Sequence, residues 1–151
     1  MTFPPLAMAS GSKPHFKAIS WIVERAEREG RVISYDSSWT MDPKVRREPG
    51  YPRLLREILT ATLVQVHREY GIEESICAGV PRMKTEKYFE SIGYRPIEQK
   101  GIPLPPLAFE QRMGDSIIYL HKESFTADAT AMANRYMTLW DRRLVLRGRT
   151  I

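Results

Sequence analysis

At 151 residues the chain has the length of one domain, and a domain of that size buries roughly 70% of the surface its unfolded form exposes. The 42% apolar and 27% charged shares exclude a disordered chain, and no stretch approaches the roughly 20 apolar residues that a membrane-spanning helix needs. The net charge of +5, from 23 Lys and Arg against 18 Asp and Glu, favours an anionic partner, without choosing between a phosphate-bearing cofactor and nucleic acid.

Residues 1–13, rich in Pro, Ser and Gly, are expected to form a loose arm, and with no basic region ahead of an apolar one they do not resemble a signal peptide. The spacing of Phe16, Ile19, Ile22, Val23 and Ala26 predicts a helix over 14–29, with Gly30 as its cap. Val32, Ile33, Tyr35, Trp39 and Met41 predict a strand over 31–41, stopped by Asp42-Pro43. After the loop 44–52, a long helix over 52–70 places Leu55, Ile58, Leu59, Thr62, Val66 and Tyr70 on one face. The run Ser-Ile-Cys-Ala-Gly-Val over 75–80 is apolar almost throughout, as in an interior strand covered on both faces.

A helix over 81–92 with Tyr88, Phe89 and Ile92 follows, capped by Gly93, and a further strand begins at 94–97. Three prolines exclude regular helix from 101–107, which is expected to be extended. A strand over 115–121 and a last helix over 126–146, carrying Met132, Tyr136, Leu139 and Trp140 on one face, complete the domain over 14–146. Residues 147–151 form a basic tail. Alternating strands and helices point to an α/β or α+β domain with a central mixed sheet flanked by helices.

The loop Arg46-Arg47-Glu48-Pro49-Gly50-Tyr51-Pro52 carries the chemistry. It stands between a strand and a long helix, where unpaired N–H groups and the helix dipole attract anions. Glycine permits close approach of the backbone, and the arginines add forked donors. Asp36 is a candidate general base, on the expectation that burial raises its pKa. Cys77 is expected to be a buried structural thiol. His15, His67 and His121 lack metal-ligand spacing, so no metal is expected. The basic run Arg142 to Arg149 is expected to be a helix end and not a nucleic-acid site, since no recognised nucleic-acid motif accompanies it. With one cysteine in the chain, no intrachain disulfide forms, and a cytoplasmic location is expected.

Two stretches resemble GNAT acyltransferases. Arg47, Gly50 and Pro52 occupy the places of that family's pyrophosphate loop, which reads Arg or Gln, two residues, Gly, one residue, then Gly or Ala; Pro52 is a departure that removes one amide donor. Glu86-Lys-Tyr-Phe-Glu-Ser-Ile-Gly-Tyr94 resembles the family's aromatic-rich helix ending in Leu-Gly-Phe, with Phe89 where many members carry a tyrosine acid. Within the superfamily, Asp36-Ser37-Ser38-Trp39-Thr40 and the run from Gly114 to Ala129 resemble autoinducer-synthase-like proteins.

The resemblance spans roughly 32–137 and implies an N-acyltransferase. Its donor would be the thioester of acyl-CoA or acyl-carrier protein, held by Arg46, Arg47, Gly50 and Tyr51, and its acceptor an amine. It also implies an abbreviated N-terminal half, since only one helix and one strand precede the loop. A second copy of the chain or a partner would then complete the sheet. The alternative is a non-catalytic GNAT-like module that acts through protein–protein contact.

Overall fold

A computed structural model describes residues 3–37, 44, 47–108 and 116–143. The chain opens with a short helix, α1 (Pro4–Ala9), where a loose arm was expected. Its two prolines stand in the first turn, where their missing N–H groups leave nothing unpaired. Phe3, Leu6, Met8 and Ala9 pack against the core, which gives this segment a reason to be ordered.

Helix α2 (Lys13–Arg28) buries Ala18, Ile19, Ile22 and Ala26, close to the predicted stripe, although Phe16 is 43% exposed. It ends in a Schellman motif. Gly30 takes φ 69°, its N–H bonds to the Glu27 carbonyl, and the Arg31 N–H reaches back to the Ala26 carbonyl at 2.8 Å. Strand β1 (Val32–Asp36) follows, and 38–41 of the expected strand lie outside the described residues. Helix α3 (Tyr51–Tyr70) starts at Gly50 and ends at Gly71, both left-handed.

The buried face of α3 is not the predicted one. Thr62 and Tyr70 are exposed, and Thr60, Ala61, Leu63, Val64, Gln65 and His67 are inside. Three of those are polar and each finds a partner. Thr60 meets the Tyr88 hydroxyl at 2.5 Å, Gln65 donates to the Ala133 carbonyl at 3.1 Å, and His67 donates to Asp36. Those hydrogen bonds make burial affordable for side chains that an apolar pattern assigns to solvent.

Strand β2 (Ile72–Gly79) begins three residues before the predicted start and lies between β1 and a later strand. The helix expected over 81–92 is broken by Lys84 at φ 55°, leaving a 3-10 turn (Pro81–Met83) and α4 (Thr85–Ser91). The Thr85 hydroxyl accepts from the Val80 N–H at 2.6 Å across that break. Beyond Gly93 come four two-residue strands: β3 (Arg95–Pro96), β4 (Glu98–Gln99), β5 (Ile102–Pro103) and β6 (Leu107–Ala108). The proline-rich segment is thus extended, as expected, and it also pairs locally. Strand β7 is Ser116–Lys122.

The expected last helix is two helices, α5 (Ala127–Arg135) and α6 (Met137–Asp141). Gln65 donates to the Ala133 carbonyl one turn before the break, and the Tyr136 N–H still reaches the Met132 carbonyl at 3.1 Å. The buried face of α5 is the small-residue pair Ala129 and Ala133, while Leu139 of the predicted stripe is 57% exposed.

The main sheet runs β1-β2-β7-β3, with β6 also on β7. β1 and β2 are parallel and are linked through α3; the other pairings are antiparallel. This is the expected mixed sheet. Period-2 alternation sorts its side chains onto two cores. Ile76, Ile117 and Tyr119 meet α2 on one face, and Cys77 and Leu120 meet α3, α4 and α5 on the other. No helix among the described residues is long and apolar enough to cross a membrane.

Candidate functional site

The expected donor loop is only partly described. Arg46 lies outside the described residues; Arg47 is exposed, and it is helical, as is Lys44, where a loop was expected. Gly50 adopts φ 82° as the N-cap of α3, and no side chain caps this helix start among the described residues. Tyr51, the first helical residue, is 55% exposed. The Leu54 N–H returns to the Gly50 carbonyl at 3.2 Å, so the N–H groups of Tyr51 and Arg53 precede the first intrahelical bond. Pro52 has no N–H to offer.

Asp36 stands elsewhere in character. It closes β1, opposite Cys77 of β2, on the face covered by α3. Its side chain is 9% exposed. His67 Nε2 lies 3.2 Å from Oδ2 and Tyr94 donates its hydroxyl proton to the same oxygen, while Ser34 donates to Oδ1 at 3.0 Å. Burial by itself would raise this pKa, but the hydrogen bonds from His67 and Tyr94 outweigh it and hold the carboxyl below its ordinary value. The expectation of a raised pKa therefore fails. Asp36 is an acceptor with three donors around it.

The network extends from there. An ionised carboxylate only accepts, so His67 turns an N–H at Nε2 toward Asp36 and leaves Nδ1 pointing away from it. That nitrogen is buried and has no hydrogen-bond partner among the described residues. Because Tyr94 gives its proton to Asp36, its oxygen accepts from Ser75 at 2.8 Å. Burial first, and then the Asp36 charge, push the Tyr94 hydroxyl far up. Lys122, 2% exposed, lies with its ammonium 4.0 Å from the Phe125 ring centroid, and Phe125 meets the His67 ring edge-on at 5.0 Å. Burial pushes Lys122 down to about 8, although Asp36, Glu74 and Cys77 pull the other way. Cys77 is fully buried with its thiol pushed well up, which fits the structural role expected of it.

On the opposite face a second polar cluster surrounds Glu74, which is fully buried. Arg25 and Arg31 each take one of its oxygens, and His121 Nε2 lies 2.8 Å from Oε2. The ligand atoms of Glu74, His121 and Glu123 lie within 4.8 Å of one another. Two guanidinium groups already occupy both Glu74 oxygens, so the cluster is an ion-pair network and not a cation site.

Of the predicted site residues, the structure places Gly50, Tyr51 and Arg47 together at the α3 start and Asp36 in the buried network. His67, Tyr94 and Lys122 were missed. A signal for them exists in the strands: Ser34 and Asp36, like Ser75 and Cys77, are small or polar residues at i and i+2, so one face of two paired strands carries hydrogen-bonding groups. Comparison with protein-family models, curated proteins and solved structures finds no match.

Proposed function

We propose that the chain is a GNAT-like domain that binds an acyl thioester, acyl-CoA or acyl-carrier protein, and positions it for transfer to an amine. The observation that supports this most is the parallel β1–α3–β2 unit. Strand β1 is followed along the chain by a 20-residue helix whose N-cap is the left-handed Gly50, with no side-chain cap among the described residues. That arrangement aims backbone N–H groups and the positive end of the dipole at an anion, with Arg47 beside them.

Among the described residues, pairing of β1 with β2 extends to Asp36 opposite Cys77, while β2 continues to Gly79. In this reading the pantetheine arm lies against the last residues of β2. Transfer then needs little covalent help: the amine nitrogen attacks the thioester carbonyl, the thiolate leaves with the electrons of the broken C–S bond, and the proton that the nitrogen sheds passes to that thiolate to give the free thiol. Calorimetric titration with acetyl-CoA and a long-chain acyl-CoA tests the reading. Saturable heat with one of them, weakened at least about tenfold by Arg47→Ala, is the expected result. No heat with either ligand would overturn it.

A second reading, a non-catalytic module that binds another protein chain, is favoured by one observation. β1 is a sheet edge among the described residues, and Val32 on it is 47% exposed. Such an edge offers unpaired backbone groups to a further strand. Sedimentation analysis separates the readings, since a strict monomer that binds acyl-CoA excludes the module.

A further inference from the structure

A cleft of about 680 Å³ opens on the α3 side of the sheet, between the end of α3, the start of β2 and the turn after β7. Its wall includes His67, Arg68, Lys122, Phe125 and Val64. His67 is 17 residues along α3 from Gly50, or about 25 Å at 1.5 Å per residue, so the cleft is separate from the helix start assigned above to the acyl donor.

Three kinds of group converge on it. His67, 3% exposed, has a buried Nδ1 without a partner among the described residues, while its Nε2 is held by Asp36. Lys122 brings a cation that is almost wholly out of water and sits on Phe125. Phe125 and Val64 give an apolar floor. The acids nearby are mostly committed: Glu123 bonds Arg25 at 2.8 Å, and the Arg31 guanidinium meets Glu29 and Glu74. Glu73 is exposed at the rim. Neither Lys122 nor Arg68 has a carboxylate at ion-pair distance among the described residues; Arg68 donates to the Asn134 side chain at 3.1 Å. A desolvated ammonium without a contact anion and a desolvated ring nitrogen without a partner are both costly unless something answers them.

We propose that this cleft binds a small hydroxy-carboxylate with an apolar body. Its carboxylate faces Lys122 and Arg68, its hydroxyl pairs with His67 Nδ1, and its body rests on Phe125 and Val64. The inference does not depend on the acyl-thioester reading, since it uses the other end of α3.

Meta-hydroxybenzoate is a suitable probe, and benzoate is its partner lacking the hydroxyl. Titration into the full chain is followed by calorimetry and by the imidazole nitrogen shifts of His67. The expected result is saturation at millimolar concentration or below, with the His67 Nδ1 resonance moving as a hydrogen-bonded nitrogen does. Benzoate binds at least about threefold more weakly, and Lys122→Met at least about tenfold more weakly, as expected for a lost charge-assisted contact. Circular dichroism checks that the variant is folded. Should it not fold, Arg68→Glu at the exposed rim reverses one charge and is expected to weaken binding at least about threefold. Lys87→Ala, on the surface of α4, leaves binding unchanged. No saturation by about 20 mM, or saturation that the folded variant among these two does not alter, overturns the proposal.

Discussion

At the scale of the residue, Lys122 and Asp36 pull stability in opposite directions. Lys122 has its folded pKa lowered to about 8 from 10.5, chiefly by burial. Between those values the unfolded chain holds more protons, so stability rises with pH across that window, and below it the charged form is a standing cost. Replacing Lys122 by Met removes that cost. The full shift corresponds to about 3 kcal/mol, and the lost contact with Phe125 offsets part of it, so we expect Lys122→Met to gain about 1–2 kcal/mol at neutral pH. Urea unfolding at pH 7 and at pH 10 measures both parts, with the gain shrinking at the higher pH. Asp36→Asn acts in reverse. The amide can accept on one side only, which leaves a donor among His67, Tyr94 and Ser34 unanswered in the interior. A loss of about 2 kcal/mol in the same assay is expected.

At the scale of the element, close approach decides what is allowed. Gly79 ends β2 beneath α4, and a Cβ built on it would stand 2.7 Å from the Glu86 Cα and 2.8 Å from its backbone nitrogen. Backbone cannot give way as a flexible side chain can, so Gly79→Ala is expected to lift α4 and cost about 2–3 kcal/mol. Thermal unfolding should show the loss, and amide exchange in α4 should rise with it.

How much of this was legible depends on what held each element. β2 was readable as an interior strand because apolar content alone marks it. The order strand, loop, long helix, strand was readable because glycines punctuate it at Gly50, Gly71 and Gly93. The buried face of α3 was not, because Thr60, Gln65 and His67 go inside through tertiary hydrogen bonds that no local pattern announces. The break at Tyr136 was not legible either, since neither proline nor glycine stands there. The site divided likewise: the Arg-Gly loop stood in the local sequence, whereas the Asp36 network required strands and helices brought together by the fold.

At the scale of the whole molecule, one sheet serves two cores, and Glu74 ties the parts on one face. Its carboxylate joins Arg25 of α2, Arg31 at the entry to β1 and His121 of β7, from a position in β2 with no exposure. Burial would raise its pKa, but the hydrogen bonds from His121, Arg31 and Arg25 together lower it. A carboxyl with a depressed folded pKa contributes stability above its unfolded value and loses it as pH falls through the folded one. Asp36 has the same sign. His121 adds a step at higher pH. Burial lowers its pKa in spite of Glu74, so the unfolded chain takes that proton first and stability begins to decline below about 6.5. Acid unfolding should therefore proceed in two stages, a shallow loss below about pH 6.5 and a steep one below about pH 4. Glu74→Gln removes the charge while leaving two guanidinium groups facing it, and is expected to cost about 3 kcal/mol at pH 7. It should also flatten the steep stage without abolishing it, because Asp36 remains. Urea midpoints taken from pH 3 to pH 8 on both proteins test this. An unchanged acid slope in the variant would show that Glu74 is not the tie that the geometry makes it.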